Sequence, residues 1–242
     1  MPKQPTPTTP KNEDWFPLEQ SEHEKQLRAL AKHLGKKPAR ILDLGIGDAR
    51  TAAPLVRRGH TVVGVDHDPA AVWACAASNI ACINADFLDD ANATWKAIAK
   101  HAPFDAAVCL GNTFLTIHDV ARAAALLTRL RAVLKPNAQL ILDDFAPLWR
   151  EVAEGYWQEG LSEDKSQQLI WASADNTLAI RRGKSVNPTN WKITKQDRLM
   201  RLWSKGELEL LALSQGWTLD VATPDLVALT CEKRKGWTAK RK

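Results

Sequence analysis

Ala39-Arg-Ile-Leu-Asp43-Leu-Gly45-Ile-Gly47-Asp48-Ala49-Arg50 is the stretch whose reading decides the fold. A short apolar run that stops at a glycine reads as a buried strand, and Thr51 to Arg58 after it read as a helix. The same unit recurs downstream. Thr61-Val-Val-Gly-Val-Asp66 is a second strand, and Pro69 opens the next helix at a position where a missing N–H costs nothing. Further strands are predicted at 80–84, 104–110 and 139–143, with helices over 91–101 and 119–134 between them. Upstream, Leu27, Leu30, Ala31 and Leu34 recur at helical spacing until Gly35 stops the helix. Strands and helices alternating in this way predict a doubly wound α/β domain, its parallel sheet covered on both faces.

The pattern changes after Phe145. Leu169-Ile-Trp-Ala-Ser, a turn at Ala174-Asp-Asn176, Thr177-Leu-Ala-Ile-Arg-Arg182 and an alternating Trp191-Lys-Ile-Thr predict a small antiparallel cap, inserted at about 146–204 over one edge of the sheet. A helix over 205–215 then ends at Gly216, a suitable left-handed cap. Two last strands, 218–221 and 225–231, bring the sheet to seven.

Size and charge fit this plan. The 242 residues are 45% apolar and 25% charged, enough for one large domain spanning 15–231. Residues 1–14 hold four prolines and almost nothing apolar, which predicts a flexible tail. The net charge of +5 comes entirely from residues 232–242, where six Lys/Arg face one Glu. The body is therefore balanced, and contact with nucleic acid is expected only through that basic tail, whose other reading is a solubilising end. No apolar run approaches the roughly 18 residues of a membrane span, and the amino terminus lacks the apolar stretch of a secretory signal, so a cytoplasmic location is expected. Cys75, Cys82, Cys109 and Cys231 form no C-x-x-C pair and read as small hydrophobes, and no metal is expected.

Ligands of open α/β sheets bind where strands end, above all at the switch point after the first strand. The loop there carries Gly45 and Gly47, but Arg50 stands where a dinucleotide fingerprint needs its third glycine. No G-K-[ST] follows, which excludes a P-loop. Asp43 and Asp48 flank the glycines and would repel a pyrophosphate, whereas they suit a cationic amino group and a sulfonium. S-adenosylmethionine is the ligand that fits. Asp66, 23 residues after Asp43, can accept from both hydroxyls of a ribose, while Asp68 serves better than it as the helix N-cap. Asp86 at the end of the third strand can accept from an adenine amine with Phe87 against the ring; an ordinary strand-end turn is the competing reading.

Residues 39–145 resemble the core of class I S-adenosylmethionine-dependent methyltransferases, with a Rossmann-like sheet. Phe104-Asp-Ala-Ala-Val-Cys-Leu-Gly-Asn-Thr-Phe114 is similar to the fourth-strand motif of the glycine N-methyltransferase-like branch. The resemblance implies that Asp43, Gly45 and Gly47 line the methionine part of the cofactor and that Arg50 meets its carboxylate. It implies a ribose site at Asp66 and His67 and an adenine site at Ala85, Asp86 and Phe87. Leu110 would offer a carbonyl to the cofactor amino group, with Gly111 and Asn112 facing the methyl. Ala49, and Leu134-Lys-Pro-Asn137 before the fifth strand, depart from the family by lacking its usual glycines.

Methyl transfer from a sulfonium is an in-line displacement that needs alignment more than strong acid–base help, and a near-attack pose alone can supply about 7–11 kcal/mol. A cap holding the acceptor can therefore be most of the catalyst. Candidate catalytic residues are Asn112 and His118, which could orient or accept an acceptor proton, His118 being also readable as an exposed residue before a helix. Trp15 reads as a lid or as core capping, Tyr156 as a pocket wall or as packing, and Arg181 as a carboxylate clamp or a solvated arginine. No N-P-P-Y or D-P-P-Y platform is present, and the balanced body disfavours a large nucleic-acid surface. The expected activity is methylation of a small molecule, with an amine nitrogen as target. The rivals are an RNA or protein methyltransferase using the basic tail, and a non-catalytic cofactor-binding subunit.

Overall fold

Strand alternation sorts the core onto two faces. The computed structural model describes residues 20–89, 92–145, 160–162, 164–172, 175–223 and 226–232. Its first part runs α1 (Gln20–Leu34), β1 (Arg40–Leu44), α2 (Ala52–Arg57), β2 (Thr61–Asp66), α3 (Pro69–Ala77), β3 (Ala81–Asn84), α4 (Asn92–Ala99), β4 (Phe104–Cys109), a 3-10 turn (Thr113–Thr116), α5 (Val120–Val133) and β5 (Leu134–Asp143). One sheet has the order β3-β2-β1-β4-β5-β10-β9, where β9 is Trp217–Thr223 and β10 is Leu226–Cys231. Strands β1 to β5 pair in parallel, and β10 runs antiparallel between β5 and β9. The seven-stranded, mostly parallel sheet is thus as expected.

Ile41, Val62, Val108 and Ile141 pack with Leu30, Leu55 and Ala71 of α1, α2 and α3. Their neighbours Leu42, Val63, Ala107 and Leu140 point the other way, into a core with Leu126, Leu127 and Leu130 of α5 and Leu208 and Leu211 of α6 (Lys205–Ser214). Because side chains alternate, a one-residue slip would move each set to the wrong face, and each fully buried Leu, Ile or Val is worth about 1.5–3 kcal/mol. Register is therefore tightly specified. Caps place the helix starts: Asp68 accepts from the Ala70 N–H, Asp119 from those of Ala121 and Arg122, and Ser204 with Glu207 forms a capping box at α6.

A second, three-stranded antiparallel sheet has the order β6-β7-β8, with β6 at Gln167–Trp171, β7 at Thr177–Arg182 and β8 at Leu199–Arg201. Its third strand is not the predicted Trp191–Thr194. Between 187 and 198 the backbone is taken up by side-chain turns: Asn187 accepts from the Thr189 N–H at 3.1 Å, Asn190 from Lys192 at 3.0 Å and Asp197 from Thr194 at 2.6 Å. The chain extends only beyond them, where Leu199 and Met200 pair with Ala179 and Leu178. Leu169, Leu178, Ile180 and Met200 bury into the α5–α6 side of the core, and Trp203 packs at a tilt against Phe114, ring centroids 5.5 Å apart, while donating to the Ile117 carbonyl. Strand β5 also starts earlier than predicted, at Leu134. The register shifts between Phe104 and Ala106, and Asn137 takes a left-handed φ of 61° that an asparagine tolerates. Cys75, Cys109 and Cys231 are buried and Cys82 partly so, and none of the four is in a disulfide.

Candidate active site

The glycine loop leaves β1 by a run of left-handed residues, Gly45 (φ 75°), Gly47 (φ 53°) and Ala49 (φ 62°). For Ala49 that conformation costs about 1–2 kcal/mol. Gly45 also permits a close approach, since a Cβ there would lie 2.5 Å from Thr113 Cγ2 on the turn after β4. The end of β2 holds the loop in place. Asp66 Oδ2 accepts from the Gly47 N–H and its Oδ1 from the Asp68 N–H, both at 2.9 Å. Its backbone carbonyl takes the Ala85 N–H at 2.8 Å and the Asn84 amide at 3.0 Å, which ties the ends of β2 and β3 together.

These elements enclose a cleft of about 350 Å³ at the carboxyl ends of β1, β2 and β4. Asp43, Gly45, Gly47, Arg50, Asp66, Leu110 and Gly111 all line it, as do Asp48, Thr113 and the small residues Ala70, Ala71 and Ala74 of α3. Arg50 reaches across the loop, with its Nη2 3.0 Å from where a Gly111 Cβ would be. Burial, followed by the nearby charge of Asp66, pushes the Asp43 carboxyl up to about 7. The cleft therefore combines carboxylates at one wall, backbone groups at the loop and a guanidinium opposite. That set can hold a zwitterion carrying further positive charge and a vicinal diol.

Other sequence-predicted residues lie elsewhere. His67 is exposed, 3.6 Å from Asp66, and Asp86 caps the Leu88 N–H at 2.8 Å with Arg122 3.8 Å away. Phe87 belongs to the buried core on the α5–α6 side, where its carbonyl accepts from Trp95, so its ring does not line the cleft. Asn112 takes a left-handed φ of 63° beside the cleft, and half-buried His118 sits before the α5 cap, its carbonyl 3.5 Å from Arg201. Arg181 is a correction. Its guanidinium makes a two-pronged pair with Asp197 at 2.8 Å and donates to the carbonyls of Asn190 and Lys192, so its donors are spent inside the insert rather than offered to an acceptor. Trp15 and Tyr156 lie outside the described residues.

Three residues near the site went unnoticed in the sequence. Asp143 ends β5 and accepts from the Gly111 and Asn112 N–H groups and from Gln26 of α1. Gln26 was visible as a polar residue one turn before Leu30 on a buried stripe. His23, on the same helix, feels Arg50 and Asp48; burial and the Arg50 charge hold it below its usual value, and its buried Nε2 has no hydrogen-bond partner among the described residues. A smaller cavity of about 260 Å³ lies between Asp144 and Phe145 after β5, Trp203, the start of α6 and Val227, with Lys205 paired to Asp144 at 3.1 Å. Among the described residues no cluster of His, Cys, Asp or Glu is arranged to hold a metal, and no helix is long and apolar enough to cross a membrane.

Residues 41–137 match the family described as Methyltransferase domain. The glycine/sarcosine N-methyltransferase of Parasynechococcus marenigrum (strain WH8102) is 30% identical over 132 residues, which is 54% of this chain and 45% of that relative. This chain thus spans under half of that relative's length. Among solved structures, a Pyrococcus horikoshii OT3 protein superposes with a TM-score of 0.60 at 19% identity, covering 87% of this chain and 91% of the other. An amino pentose methyltransferase of calicheamicin biosynthesis from Micromonospora echinaspora, solved with SAM bound, gives 0.55 at 15% identity, covering 87% and 90%. Both share the fold of this chain.

Proposed function

We propose that this chain is an S-adenosylmethionine-dependent methyltransferase acting on a small molecule, with an amine nitrogen as the target. The observation that carries it is one cleft lined by Asp43, Asp48 and Asp66 around a left-handed glycine loop, a donor–acceptor set unsuited to a pyrophosphate. The residues present fit the cofactor. Asp66 retains free lone pairs for a ribose, Arg50 suits a carboxylate, and Asp43 with the Leu110 carbonyl suits a cationic amino group. When bound, S-adenosylmethionine supplies an electrophilic methyl on a sulfonium. The protein's part is to align: the glycine loop and Thr113 fix one side, and the Gly111–Asn112 turn fixes the other. We place Asn112 on the acceptor side, where its amide can orient a neutral amine. Similarity to a glycine/sarcosine N-methyltransferase supports nitrogen as the target.

Calorimetric titration with S-adenosylmethionine, S-adenosylhomocysteine and NADH tests the cofactor, and a screen of small amines tests the acceptor. Micromolar binding of both adenosyl ligands without an NADH signal is the expected result, while NADH binding alone would overturn it. A pH dependence follows from Asp43. With its carboxyl pushed up to about 7, the free protein is largely protonated there at pH 6 and must lose that proton to face a cationic amino group. Affinity is therefore expected to fall between about pH 8 and 6, with protons released on binding at the lower pH, read from titrations in buffers of different ionisation enthalpy. Asp43→Asn should abolish the proton release. Fold stability runs the opposite way: a raised carboxyl makes the folded state take up its proton first, so this residue adds stability as pH falls from about 7 towards 4.

A further inference from the structure

Asp143 is 5% exposed at the last position of β5, yet it touches two other elements. Its Oδ1 accepts from Gly111 N–H at 3.3 Å and from the Gln26 side chain, and its Oδ2 accepts from Asn112 N–H at 2.9 Å. Gly111 (φ 69°) and Asn112 (φ 63°) are consecutive left-handed residues, so their two N–H groups converge as a small anion receptor filled by this carboxylate. An amide of the same shape would satisfy one N–H and turn its own donors on the other. Asp143 does not itself line the cleft, whereas Leu110 and Gly111 do.

We propose that Asp143 is a positioning residue for methyl transfer, which aims the Leu110 and Gly111 carbonyls into the cofactor cleft and ties α1 to the same turn. The link is peptide planarity. In a trans peptide the C=O points opposite to the N–H that follows it. Holding the Gly111 N–H on Asp143 directs the Leu110 C=O away from β5, and holding Asn112 N–H does the same for the Gly111 C=O. Thr113 Oγ1 completes the geometry by donating to the Leu110 carbonyl at 2.8 Å. Gln26 extends the clamp to α1, the helix that also carries His23, which feels the Arg50 charge. The inference rests on the proposed cofactor, because the Leu110 carbonyl matters for binding only if a cationic amino group lies against it.

The test compares S-adenosylhomocysteine with 5′-methylthioadenosine, which keeps the nucleoside but lacks the amino-acid end. In Asp143→Asn, affinity for S-adenosylhomocysteine is expected to fall about tenfold, the scale of one charge-assisted hydrogen bond, with methylthioadenosine affinity held within about twofold. Gln26→Leu, which keeps the carboxylate but frees α1, should cost about threefold and again only for the ligand with the amino group. A parallel loss of both ligands would show a merely structural residue and overturn the proposal, as would unchanged S-adenosylhomocysteine affinity. If Asp143→Asn fails to fold, Gln26→Leu decides alone by the same comparison. Wild-type protein that binds neither ligand would overturn the cofactor reading itself, an outcome distinct from any loss of selectivity in the variants.

Discussion

Asp66→Ala is expected to weaken S-adenosylmethionine binding by about 1.5–3 kcal/mol, roughly 10- to 150-fold. The carboxylate is 8% exposed at the end of β2, and each oxygen already accepts one backbone N–H, from Gly47 and from Asp68. A carboxylate offers about four lone-pair sites, so these bonds orient the group and leave about two for the hydroxyls of a ribose. Alanine removes the ribose contacts and unpins Gly47 of the cofactor loop together. Asp66→Asn keeps one acceptor and should lose less. Calorimetry on both variants measures the difference, and an Asp66→Ala protein with wild-type affinity would move the ribose elsewhere in the cleft.

Asp197→Ala is expected to destabilise the fold by about 3–5 kcal/mol. Arg181 and Asp197 have side chains only 7% and 8% exposed, and Asp197 also takes the Thr194 N–H and hydroxyl. Removing the acid leaves a buried guanidinium uncompensated and the 194–197 turn without its cap. Replacing both partners at once by apolar residues, Arg181→Met with Asp197→Leu, should recover much of the loss, because the cost lies in the stranded charge. Denaturant midpoints of the single and double variants check this, and a single-variant loss under about 1 kcal/mol would place the pair among solvated ones. The Arg181 guanidinium holds the Asp197 carboxyl well below the usual carboxylate range. Its contribution is therefore present above about pH 4, the unfolded value, and is lost as pH falls below it.

Arg181 also shows where reading a sequence stops. Two adjacent arginines at the end of a strand look alike on paper, as clamps or as solvated charges. In the folded chain Arg181 turns inward to a carboxylate 16 residues later, while Arg182 is only partly buried. The third strand of the insert lies at Leu199–Arg201 rather than at the predicted Trp191–Thr194 for a related reason. Trp191–Thr194 alternates well enough to extend, but the Asn and Asp side chains around it bind their own backbone first. Phe87 adjoins a carboxylate at a strand end, and only packing shows that its ring faces the core.

What the sequence determined by itself is local. Apolar periodicity, Gly45 and Gly47 after β1, Asp68 before Pro69, and acids at the ends of β1 and β2 follow from turn chemistry and alternation within a few residues. They sufficed for the order of elements, the sheet, and most of the cleft. What tertiary structure alone decided is which distant partner each buried polar group meets. Gln26 and Asp143 are 117 residues apart, and Gly111 is 32 from Asp143, yet one carboxylate joins all three. A buried carboxylate must find donors or lose its charge, and its choice among donors is set by strand register and helix packing, which no short window of sequence contains.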